Sequence, residues 1–148
     1  MKYLLLFVLI VVVCVFIVVG CFFISFLIAF IKQRNDIAAN GGIKTIYKIL
    51  IDGLLEYSSA RIIQDTKDVV TVGGTFTDPI FNRECGLWSV ILQPTFKTLN
   101  VKYRARIYIG GGMTSKQMWD FPINMPQEQI LSVIKKKADE FEVYGVFK

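Results

Sequence analysis

The sequence predicts one N-terminal membrane-spanning helix followed by a small α+β domain, an antiparallel sheet of four to five strands covered by two helices. Three observations carry this prediction. From Leu4 to Ile31 there is no charge and no proline, and Cys14, Cys21 and Ser25 are the only side chains with a heteroatom. The remainder has apolar residues at helical spacing near both of its ends. Between those ends lie short β-branched or alternating runs separated by Gly, Pro and Asp. The divisions read from this are an anchor over 1–34, a linker over 35–42 and a domain over 43–148.

A bilayer core takes about 20 apolar residues in a helix. At ~1.5 Å per residue the run from Tyr3 to Ile31 extends roughly 43 Å, enough for one crossing and too short for two. It is about twice as long as a secretory signal's apolar region, and no small-residue cleavage site leads into a polar start. Val18-Val19-Gly20-Cys21 resembles the box at which bacterial lipoprotein signals are cut and acylated on the cysteine. Phe22 to Ile31 continues apolar beyond it, which favours an uncut anchor. Cys21, Ser25 and Ala29 recur every four residues and share one helix face. Such a small-residue stripe suits close packing against a copy of the chain or another membrane protein. Chance spacing of small residues is the plainer reading. Lys2 lies before the run; Lys32, Arg34, Lys44 and Lys48 follow it. Positive residues favour the cytoplasmic side, so the domain is expected there.

Asn35 to Gly42 reads as the linker, with turn formers at both ends. Ile43 to Tyr57 reads as a helix with Ile43, Ile46, Tyr47, Leu50, Leu54 and Tyr57 on one face. Ala60–Gln64 and Val69–Thr77 read as strands around a turn, with a bulge expected at Gly73-Gly74. Ile80 to Gly86 reads as a loop carrying Cys85, and Leu87 to Gln93 as a strand stopped by Pro94. Asn100 to Ile109 alternates most clearly: Val101, Tyr103, Ala105, Ile107 and Ile109 face one way, Lys102, Arg104, Arg106 and Tyr108 the other. Gly110 to Lys116 reads as a turn. Gln117 to Ile123 reads as a strand that Pro122 confines to an edge. Pro126 to Phe141 reads as the last helix, capped by Asn124 with Gln127 three residues on, and buried along Ile130, Ile134, Ala138 and Phe141. Glu142 to Phe147 is expected to add a short strand.

Composition excludes several chemistries. The chain has no histidine. That removes the usual general base near neutral pH and rules out Ser-His and Cys-His pairs. Cys85 is the one cysteine outside the apolar run, so neither a structural zinc site nor a disulfide within the domain is expected. No metal and no cofactor is predicted. Neither Gly41-Gly42-Ile43-Lys44-Thr45 nor Gly110 to Lys116 has the spacing of a phosphate loop. Asp52 and Glu56 share a helix face, yet a solvated helix surface explains them without catalysis.

The net charge is +5. The most distinctive constellation is Lys102, Arg104 and Arg106 on one strand face, with Tyr108 continuing the row and Trp119 expected to reach it from the next strand. Cations with aromatic neighbours suit an anionic ligand or an acidic partner. The competing reading is a solvated face screened by salt and by cross-strand acids. No signature of specific nucleic-acid binding is present.

Three functional classes follow. The first is a non-catalytic membrane-anchored subunit that docks onto a partner complex for secretion, transfer, assembly or defence. The second is a membrane sensor whose basic sheet face binds an anionic ligand and which oligomerises through its helix. The third, a small hydrolase or transferase, is least favoured by the missing histidine.

Overall fold

The computed structural model describes residues 1–57, 59–78, 82–108 and 112–146. The chain divides into two compact units, Met1–Asp36 and Ile37–Lys148.

From Lys2 on, the first unit is part of α1 (Lys2–Ala39), a single helix of 38 residues. Its stretch Phe7–Ala39 is long and apolar enough to cross a membrane, and none of its most apolar window is buried against protein. The expected linker is therefore shorter than predicted. Asn35 to Ala39 stay helical because nothing in that segment breaks a helix. Gly41 and Gly42, with φ of 84° and 83°, end it. The Gly42 N–H donates to the Ile37 carbonyl at 2.8 Å, closing the helix with a left-handed cap.

The second unit is a two-layer α+β domain. Its elements are α2 (Ile43–Ile46), α3 (Lys48–Leu55), β1 (Arg61–Asp65), β2 (Val70–Thr77), β3 (Glu84–Pro94), β4 (Thr98–Ile107), β5 (Met113–Pro122) and α4 (Gln127–Val146). The five strands form one antiparallel meander in the order β1-β2-β3-β4-β5. Val70, Val72, Val90, Leu92, Leu99 and Val101 are fully buried on the helix-covered face. Ile43, Leu50, Ile51 and Leu54 from α2 and α3, with Ile130 and Ile134 from α4, close the core over them. Each such side chain contributes about 1.5–3 kcal/mol through burial.

Several expectations are corrected. The helix expected over 43–57 is broken at Tyr47, whose φ of −104° and ψ of 35° are not helical. The break exposes backbone groups that Gln127 satisfies. Its Nε2 donates to the Ile46 carbonyl at 2.7 Å and its Oε1 accepts from the Leu50 N–H at 3.1 Å. Gln127 thus clips α4 to the α2–α3 junction rather than serving as a capping partner for Asn124. Gly73 and Gly74 keep regular register opposite Ser89 and Trp88. The irregularities fall instead between Ile62 and Gln64 and between Phe76 and Thr77. Cys85 lies inside β3 and is 2% exposed, not on a loop. Met113 to Lys116, expected in a turn, begin β5. The segment expected as a final strand is helical to Val146. Ile80, Ile109, Gly110 and Gly111, the side chain of Phe141, and Phe147 lie outside the described residues.

Candidate docking surface

The helices cover one face of the sheet and leave the other open. Strand alternation decides which residues stand on the open face. On β4 these are Lys102, Arg104 and Arg106, with Tyr108 just beyond, as the alternation predicted; Val101, Tyr103, Ala105 and Ile107 point into the core. Arg106 stacks on the Tyr108 ring at 5.7 Å from its centroid.

Register then shows what lies beside these cations. One lateral row runs Arg61, Gly73, Ser89, Arg104, Lys116 across all five strands. The next row on one side is Thr75, Leu87, Arg106, Thr114. On the other side it is Thr71, Ile91, Lys102, Met118. Arg61 on β1 and Arg104 on β4 are three strand spacings apart, roughly 14 Å at the backbone. Between them the floor is low, because Gly73 has no side chain and Ser89 a short one. The result is a groove of about 750 Å³ lined by Arg61, Ile63, Gly73, Ser89, Arg104 and Lys116, among others. Glycine at 73 is a requirement of close approach: a Cβ there would meet the Trp88 carbonyl and the Ile63 side chain.

The electrostatics of this face are unbalanced. Arg104 and Lys116 are direct cross-strand neighbours, a like-charge pair that costs stability. Arg61, Lys102, Arg104, Arg106 and Lys116 form no ion pair among the described residues. Of the acids near them, Asp120 accepts a hydrogen bond from Asn100 at 2.7 Å, and Glu84 lies at the groove's rim. The cross-strand acids that the screened-surface reading requires are not opposite the cations. Apolar side chains stand among them: Leu87 is 49% exposed, Ile63 60% and Met118 56%.

Trp119 does not join this row. It pairs with Val101 and so points to the helix-covered face, where it stacks on Phe121 with ring centroids 6.2 Å apart. Met118 takes the place beside Lys102 that Trp119 was expected to fill. Arg61, Gly73, Ser89 and Lys116 are the surface residues that sequence reasoning missed. The Glu56 carboxylate, weighed above for acid–base chemistry, pairs with Lys135 at 2.8 Å. Among the described residues no group of three His, Cys, Asp or Glu side chains is placed to hold a metal ion. Cys21, Ser25 and Ala29 fall on one stripe of α1, as their spacing requires.

Comparisons with protein-family models, with curated proteins and with solved structures gave no match.

Proposed function

We propose that this chain is a non-catalytic, single-pass membrane-anchored subunit that docks its domain onto a partner through the open face of the sheet. The observation that carries the proposal is the set of five cations without an acidic partner among the described residues, interleaved with exposed Leu87, Ile63 and Met118. Interfaces are enriched in Arg and combine apolar contact with polar surroundings. Helix α1 fixes the subunit in the bilayer, and the Cys21, Ser25 and Ala29 stripe is the face on which a second membrane helix packs. The domain lies on the cytoplasmic side, because Lys32, Arg34, Lys44 and Lys48 follow the apolar run and only Lys2 precedes it.

The test is native mass spectrometry of the full chain, extracted in detergent after mild cross-linking in its membrane. The wild type should emerge in a discrete complex. The double variant Arg104→Glu/Arg106→Glu should emerge without its partner while keeping a cooperative unfolding transition. A strictly monomeric wild type, or a complex indifferent to the double reversal, refutes the proposal.

A further inference from the structure

Resting on that reading, we infer that the occupant of the open face is an acidic segment of a partner polypeptide, with apolar residues seated on the groove floor and carboxylates reaching its cationic walls. The layout of the groove carries this. Its walls carry Arg61 on β1 facing Arg104 and Arg106 on β4 and Lys116 on β5, with Lys102 continuing the row beyond and Glu84 the one acid among the described lining residues, at the rim. Its floor is short or apolar, Gly73 and Thr75 from β2 and Leu87 and Ser89 from β3, and Thr71 and Ile91 extend the same open face beyond it. The breadth of roughly 14 Å at the backbone accommodates a chain in either helical or extended form, since a helix with side chains is about 10–12 Å across.

Charge complementarity excludes a second copy on this face, because five cations would meet five cations. It also separates a polypeptide from a compact phosphate ligand. Phosphate sites gather backbone N–H groups at a helix terminus or a nest. Here the floor strands β2 and β3 are paired on both sides, so their backbone groups are consumed by the ladder. What remains are cations spread over three rows, each two residues or about 6.7 Å from the next along the strand. Carboxylates distributed along a chain match that spread; one phosphate cluster does not. The exposed Leu87 and the half-buried Ile91 add an apolar strip that a polyphosphate leaves uncovered.

The experiment titrates the full chain, in nanodiscs of zwitterionic lipid, with a fluorescent 15-residue peptide carrying Leu at helical spacing and Glu on both flanks. Controls are the same peptide with Gln for every Glu, inorganic pyrophosphate, and vesicles rich in phosphatidylserine as competitors. The Glu peptide should bind at least tenfold more tightly than the Gln peptide. Arg104→Gln/Arg106→Gln, which adds no charge of its own, should remove most of that difference. Raising salt from about 50 to 200 mM should weaken binding severalfold, because the walls are solvent-facing. Equal binding of the Glu and Gln peptides overturns the inference, as does a failure of the Glu peptide where pyrophosphate or the vesicles bind. In either case loss of the native complex in the Arg104→Glu/Arg106→Glu variant would still uphold docking through this face.

Discussion

Replacing Gln127 by Met should destabilise the domain far more than a half-buried polar residue ordinarily does. The Gln127 amide makes two hydrogen bonds to backbone, donating to Ile46 and accepting from Leu50, on either side of the break at Tyr47. Methionine keeps the length and removes both. The Leu50 N–H and the Ile46 carbonyl then lose partners at a part-buried site, at about 1–3 kcal/mol each. Partial solvent access takes the lower half of that range, about 1–2 kcal/mol each, so the total is about 2–4 kcal/mol. For a domain of this size each kcal/mol moves Tm by roughly 4–8 °C, which predicts a fall of about 10–30 °C. Both tryptophans, Trp88 and Trp119, belong to the domain. Fluorescence-detected thermal and urea unfolding of the full chain in micelles therefore reads the domain and ignores α1. Gln127→Glu keeps the acceptor for Leu50 but sets a carboxylate against the Ile46 carbonyl, so it should lose at least as much. Gln129→Met on the exposed side of the same turn should stay within about 0.5 kcal/mol of wild type. A Gln127→Met variant as stable as the Gln129 control would refute the clip.

Four further outcomes are expected. Arg104→Glu turns a like-charge cross-strand pair with Lys116 into an opposite-charge one, and should raise domain stability by about 0.2–1 kcal/mol in urea melts. Gly86→Ala drives a Cβ into the Arg106 carbonyl and towards the Ile107 Cα, backbone that a ladder holds in place, and should cost about 1–3 kcal/mol by the same assay. Burial pushes the Tyr47 hydroxyl above its ordinary pKa, so the folded state resists its ionisation. That contribution is complete below the unfolded value near 10.0 and declines as pH rises through and beyond it, and Tyr47→Phe should flatten that part of the stability profile. Leucine at Ser25 and Ala29 should reduce cross-linked helix pairs in the membrane without changing the domain's urea midpoint.

The parts of the fold that sequence made legible are those where one face meets oil and the other water. The apolar run before Lys32, the alternation from Val101 to Arg106 and the stripe Ile130–Ile134 all carry a period that burial imposes. Elements held by a single side chain or by register were not legible. The Tyr47 break depends on Gln127, about eighty positions away in the chain, and nothing around Ile46 marks it. The start of β5 was hidden because Met113 to Lys116 follow glycines and read as a turn. On the core face this strand carries polar Ser115 and Gln117 before Trp119 and Phe121, so its alternation is weak. Missing those four residues concealed Lys116 and misdirected Trp119. A side chain's face follows from strand parity, and parity is fixed only once pairing is known. The β4 cations were found because alternation alone places them. Arg61 and Lys116 entered the site only when Gly73 and Ser89 aligned them in one row.

The open face departs from the consistency that marks the rest of the domain. Elsewhere several local choices agree with the fold: Gly73 and Gly86 sit where backbone approaches closely, Gln127 satisfies the helix break at Tyr47, and proline ends the edge strand. On this face arginine opposes lysine, five cations lie without an ion-paired acid among the described residues, and leucine and methionine stand in water. Local rules are broken in this concentrated way where function requires it. The Arg104–Lys116 pair works against folding, so reversing Arg104 should stabilise the domain on its own. A gain that reappears only when an acidic surface covers the groove is the physical signature of a docking face. The same Arg104→Glu substitution should therefore move stability and association in opposite directions, and a variant in which both fall together would place Arg104 in the fold rather than in the interface.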